Sequence, residues 1–98
     1  MLTIDQIKAA VAPICERYGV KRMTLFGSYA RGEADEQSDV DLMVDKGNSD
    51  KLKGFSFFGF YGDIERALGV KTDLLTTVGA GEKFLNKIAK DEVLIYAR

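Results

Sequence analysis

The sequence predicts an α/β protein, α+β-like in its detail: a small sheet of three to four strands flanked by helices. Three observations carry this. Ile4, Ile7, Val11, Ile14 and Tyr18 recur at spacings of three and four, the stripe of a helix that packs one face on a sheet. Three short apolar runs follow, around Met23–Phe26, Val40–Val44 and Val70–Thr76, each of strand length and bounded by Gly or polar residues. A second helical pattern, ending at Ile64 and Leu68, separates the last two runs.

Size and charge narrow the function. Ninety-eight residues allow a single core, so 1–98 is expected to form one domain. With 46% apolar and 30% charged residues, the chain has the balance of a globular protein. No apolar run approaches the roughly 18–20 residues of a membrane span, and Met1–Asp5 has no signal-peptide character, so a cytoplasmic protein is expected. A formal net charge of −1, with no basic block, argues against gripping nucleic acid directly, because that binding depends on neutralising phosphates. The absence of His leaves acid–base and metal chemistry to carboxylates. One cysteine, Cys15, rules out an intrachain disulfide or a cysteine-rich zinc site and reads as a small core side chain.

In chain order, Thr3 and Gln6 form a capping-box pattern, Pro13 should kink or loosen the middle of the first helix, and Gly19 suits its C-terminal cap. The helix is expected over residues 3–18, with a strand over 20–26 after it. That strand stops at Gly27-Ser28, two small residues that open a short helix over 28–31, ended by Gly32. Such a turn presents free backbone N–H groups to a phosphate; its plainer role is a tight turn with Ser28 as N-cap. Arg31 either clamps a phosphate or pairs with Glu33 or Asp35. In the polar loop 33–38, Ser38 sets the approach to the next strand by bonding nearby backbone.

The second strand, 39–45, opens with Asp39 and Asp41. Strand alternation puts both on one face, about 6.6 Å apart along the chain. Strands disfavour Asp, and two like charges on one face repel unless a cation neutralises them. The pair therefore reads as a site for one or two hard divalent cations. Asp45, beside Lys46-Gly47-Asn48-Ser49, reads as a turn residue. The segment 51–69 carries the stripe Phe57-Tyr61-Ile64-Leu68, but Gly54, Gly59 and Gly62 interrupt it, so a helix is expected only from Gly62 to Leu68. Five aromatics between Phe55 and Tyr61 exceed what one short helix can bury, which points to an interaction surface. A third strand over 70–76 contains Asp73, on its own a solvated strand residue. Gly79-Ala80-Gly81 reads as a break, 82–90 as a helix, and 93–96 as an edge strand or docked tail.

The run Gly-Ser-x-Ala-Arg-Gly-x5-Ser-Asp-x-Asp-Leu, from Gly27 to Leu42, resembles the signature of the polymerase-β-type nucleotidyltransferase superfamily and within it the minimal nucleotidyltransferase (MNT) domains. No P-loop or dinucleotide glycine pattern competes with it. The aromatic, glycine-rich stretch departs from the plain charged helix usual in the family. The resemblance implies a mixed sheet, with Asp39, Asp41 and Asp73 as the catalytic carboxylates that hold Mg²⁺. It implies Gly27 and Ser28 as nucleotide-binding residues, with Arg31 and Ser38 as secondary candidates. It implies ATP as donor and, as partner, a HEPN-type toxin that receives AMP on a tyrosine, in a homo- or hetero-oligomeric setting. Two other readings stay open: an antitoxin that acts by binding alone, and a catalytic subunit that needs a separate substrate-binding protein.

Overall fold

A computed structural model describes residues 1–98. Thr3 opens the first helix, α1 (Ile4–Tyr18), with both halves of the capping box: the Gln6 N–H donates to Thr3 Oγ1 at 3.0 Å, and the Thr3 N–H donates to Gln6 Oε1 at 2.8 Å. The helix runs on through Pro13, whose ring is exposed, and ends at Gly19 in the left-handed conformation, φ 72°. Then come β1 (Arg22–Phe26), the one-turn helix α2 (Gly27–Ala30) and β2 (Val40–Asp45). A 3-10 turn at Asp50–Leu52 leads to α3 (Phe55–Leu68), β3 (Thr72–Thr76), α4 (Thr77–Ala80), α5 (Glu82–Ile88) and β4 (Val93–Ala97).

The four strands form one mixed sheet in the order β3-β2-β1-β4. β1 is antiparallel to both its neighbours, whereas β2 and β3 are parallel and joined by the α3 crossover. Alternation divides the sheet into two faces. Met23, Leu25, Val40, Leu42, Val44, Leu74 and Ile95 join Ile7, Val11, Ile14, Phe60, Ile64 and Leu68 of α1 and α3 in the main core. On the other face Phe26, Met43 and Ile88 form a small second cluster, with Phe84 and Leu85 of α5 packed against it. That face is covered only in part, and its uncovered end carries the acidic residues. Cys15 is fully buried, and burial pushes its thiol up to about 12, so it is an inert core side chain. No helix is long and apolar enough to cross a membrane.

The segment expected to be irregular forms a regular helix instead. α3 starts at Phe55, seven residues before the expected Gly62, and passes through Gly59 and Gly62 without a break. A Cβ on Gly59 would stand 3.3 Å from the Tyr18 hydroxyl, so this glycine lets α3 lie close on α1. Gly54 precedes the helix, at φ 56°, rather than interrupting it. The cost of about 1 kcal/mol for each glycine in a helix is offset by burial: Phe60, Ile64 and Leu68 are buried, and each such side chain contributes roughly 1.5–3 kcal/mol. The buried stripe is centred on Phe60, with Phe57 and Tyr61 half-buried beside it. Phe55 and Phe58 are indeed left outside, 89% and 70% exposed. Tyr61 is pinned by a 2.6 Å hydrogen bond from its hydroxyl to the Thr72 carbonyl. The Gly79-Ala80-Gly81 break is also partly helical, since α4 extends to Ala80 and only Gly81, at φ 78°, turns the chain.

Candidate active site

Strand order assembles the site. The antiparallel register of β1 and β2 puts Phe26 opposite Asp41, and the parallel register of β2 and β3 puts Asp73 beside the same residue. The sheet thus lines up Gly27, at the end of β1, with Asp41 and then Asp73. Asp39 stands just before β2, and alternation places it on the same face as Asp41.

Gly27 begins α2 at φ 74°, a conformation that L side chains rarely adopt. A Cβ there would stand 2.2 Å from Asp41 Oδ2, so a backbone without a side chain is required for the turn to lie on the carboxylate. Ser28, half-buried, follows on the first turn, and Tyr29 is buried behind it. No side chain caps the start of α2, so its first backbone N–H groups are not taken up by a side-chain cap.

The carboxylates are charge-crowded. Asp41 is raised from 3.8 to about 6, first by burial, then by the charge and hydrogen-bonding of the neighbouring Asp73, and then by the charge of Asp39; Arg31 opposes this weakly. Asp39 is only one-third exposed, and its Oδ2 lies 3.8 Å from the Lys71 ammonium. No three acidic side chains converge on a single point in this conformation. The donor set nonetheless fits a hard divalent cation: it is all oxygen, lies on one face, and has a mutual repulsion that a cation would relieve.

The secondary candidates are engaged locally. Arg31 Nε donates to Glu33 Oε1 at 2.7 Å, the pairing the sequence offered as one of its two roles. The Ser38 hydroxyl accepts from the Asp35 N–H at 3.0 Å and lies 3.2 Å from Asp35 Oδ1, which shapes the loop into β2. Asp45 accepts from the Gly47 N–H at 2.9 Å, a turn role as expected. Two residues that no motif singled out also face the site region. Lys71 pairs with Asp39, and Lys87 of α5 lines a small cavity together with Gly27 and Arg31. Lys71 lies two residues before Asp73, so strand alternation alone would have placed it; Lys87 is brought there only by the packing of α5.

A family model described as a nucleotidyltransferase domain matches residues 7–96. The chain belongs to this nucleotidyltransferase family. Among its curated relatives is the protein adenylyltransferase MntA of Thermococcus cleftensis, 39% identical over 79 residues, which span 76% of this chain and 78% of that protein. A candidate protein adenylyltransferase of Methanocaldococcus jannaschii is 34% identical over 93 residues, spanning 95% and 92%. Among solved structures, a candidate minimal nucleotidyltransferase superposes with a TM-score of 0.78 at 28% identity, over 94% of this chain and 95% of that one. A toxin–antitoxin crystal structure with AMP-PNP superposes with a TM-score of 0.76 at 17% identity, over 93% and 73%. A Shewanella oneidensis complex of a tri-AMPylated HEPN toxin with its MNT antitoxin gives a TM-score of 0.72 at 14% identity, over 98% and 74%. The last two likenesses show the nucleotidyltransferase fold, the mixed sheet that the sequence resemblance implied.

Proposed function

We propose that this chain is a Mg²⁺-dependent protein adenylyltransferase, the antitoxin of a HEPN/MNT pair, which transfers AMP from ATP to a tyrosine of its toxin in the cytoplasm. Residues 1–98 act as a single nucleotidyltransferase domain. The observation that carries the reading is the alignment Asp73–Asp41–Gly27 across three neighbouring strands. In-line displacement at the α-phosphorus needs the attacking oxygen and the leaving group on opposite sides, and this order supplies a carboxylate base on one side and a phosphate-binding turn on the other.

Each residue then has a task. Gly27 and Ser28 hold the β- and γ-phosphates through backbone N–H groups and the Ser28 hydroxyl. Asp39, Asp41 and Asp73 would hold Mg²⁺, which when bound neutralises the triphosphate and the departing pyrophosphate. Asp73, exposed on β3, accepts the proton of the acceptor hydroxyl. The acceptor oxygen forms a bond to the α-phosphorus, the bond from that phosphorus to the bridging oxygen breaks, and pyrophosphate leaves toward Gly27. Arg31 and Ser38 act at one remove, Arg31 as a cation beside the phosphates and Ser38 by fixing the loop that delivers Asp39.

The decisive experiment incubates the protein, its co-encoded toxin and Mg-ATP, then weighs the toxin by intact mass spectrometry. Increments of one or more AMP units are expected with wild type and none with Asp39→Asn/Asp41→Asn. Toxin that gains no mass, and regains full activity when separated, would assign silencing to contact alone.

A further inference from the structure

We infer that Lys87 is a phosphate-binding residue: with Arg31 it forms the cationic subsite for the terminal phosphates of the triphosphate. The inference rests on the nucleotidyl-transfer reading above and adds to it a residue from outside the signature. α5 is docked on the sheet by Phe84, whose ring meets Phe26 edge-on with centroids 5.7 Å apart. Lys87 follows Phe84 by three residues, close to one helical turn, so the contact that fixes the helix also presents this lysine at the end of β1. There a cavity of about 170 Å³ is lined by Gly27, Arg31, Lys87 and Asp91 over an apolar floor of Phe26, Phe84 and Ile88.

Three features make this cavity a receptor for phosphate. It shares Gly27 with the turn against Asp41, so an anion lying along that turn extends into it. It lies on the β1 side of Asp41, away from Asp73, which is where in-line displacement sends pyrophosphate. Its cations are also available. Lys87 makes no salt bridge even though Asp91 lines the same space, and Arg31 pairs with Glu33 through Nε alone, leaving its remaining donors for an anion. A compact ammonium and a guanidinium fork on one oxyanion make charge-assisted hydrogen bonds of the stronger kind.

The test compares Mg-AMP-PNP with AMP as probes, by isothermal titration of wild type, Lys87→Gln, Lys87→Arg and Lys83→Gln, each first checked by thermal melting. Lys83 shares the helix but does not line the cavity. The expected result is a loss of Mg-AMP-PNP affinity on the order of tenfold in Lys87→Gln, with AMP affinity held within about twofold. Lys87→Arg should recover most of the loss, and Lys83→Gln should match wild type. Unchanged Mg-AMP-PNP affinity in Lys87→Gln overturns the inference. So does an equal loss for AMP, which would mark a structural effect, or an equal loss in Lys83→Gln, which would mark diffuse charge. Failure of wild type to bind Mg-AMP-PNP overturns the nucleotidyl-transfer reading and this inference with it.

Discussion

The Asp41 carboxylate occupies the place where a side chain on Gly27 would stand, with Oδ2 2.2 Å from the ideal Cβ position. The turn at Gly27 and the Asp41 carboxylate therefore form one device, although thirteen positions lie between them in the sequence. Glycine at position 27 is needed for two separable reasons: the positive φ of 74° and the absent Cβ.

Gly27→Ala should separate stability from activity. A left-handed Ala costs about 1–2 kcal/mol, and the clash itself can be relieved by rotating the short Asp41 side chain. That rotation moves a carboxylate away from its working position, and a misplacement of about 1 Å can cost on the order of 10²-fold in rate. The expected outcome is a folded protein with a modestly lower Tm and AMP transfer reduced at least that far. Thermal melts and transfer assays on the same preparation check it; transfer near the wild-type rate would show that the close approach is dispensable.

Asp41 gives the metal-free protein a pH signature. Its folded pKa, about 6, lies above the ordinary value of 3.8, because burial and the neighbouring Asp73 and Asp39 disfavour the charge. A carboxyl raised in this way favours folding while protonated, and that contribution is lost as pH rises from about 4 through about 6. In EDTA, Asp41→Asn should therefore melt higher than wild type at pH 7–8, with the gap closing toward pH 4. Saturating Mg²⁺ with nucleotide should reverse the order, since only wild type gains the cation. Melting curves across pH, with and without the cation, test both halves; a gap independent of pH would contradict the crowded-carboxylate picture.

These two effects also show what could be read from the sequence and why the rest could not. The placing of Asp39 and Asp41 on one face of the sheet is legible because strand alternation is a local rule. Thr3, Gln6 and Gly19 were legible because capping is local chemistry, and both caps formed as their residues dictate. The start of α3 is hidden in the sequence because propensity alone counts Gly59 and Gly62 against a helix. The tertiary partner that favours Gly59, the Tyr18 hydroxyl on α1, lies forty-one residues earlier. Asp73 needed the family resemblance, because nothing in its own strand announces that the parallel register sets it beside Asp41. Lys87 was invisible for the same reason, since only the docking of Phe84 on Phe26 brings it to the site.

The aromatic segment divides into two classes of ring. Phe60 is fully buried, touching Tyr18 edge-on at 5.2 Å between centroids, so Phe60→Ala should cost about 3–5 kcal/mol of stability. Phe55 and Phe58 stand together in solvent with centroids 6.3 Å apart, so Phe55→Ser/Phe58→Ser should change stability by no more than about 0.5 kcal/mol per site. The same double variant should weaken association with the toxin, measured by titration of one purified partner into the other. A large stability loss with unchanged association would place these two rings in the fold's own packing.

Asp73 distinguishes catalysis from binding. It is exposed on β3 and lies on the far side of Asp41 from Gly27, so under the proposed mechanism it takes no direct part in seating the terminal phosphates. Asp73→Asn keeps the shape and the strand register but can neither accept a proton nor carry charge. Mg-AMP-PNP affinity should then change far less than the rate of AMP transfer, which should fall on the order of 10²–10⁴-fold if proton acceptance is its main task. Removing the charge also relieves Asp41, whose raised pKa owes its second-largest part to Asp73, so the pH dependence of stability in EDTA should flatten in the same variant. The two readouts constrain each other. A flattened pH profile with a normal transfer rate would make Asp73 a neighbour that only tunes Asp41, and the proton acceptor would then have to come from the toxin.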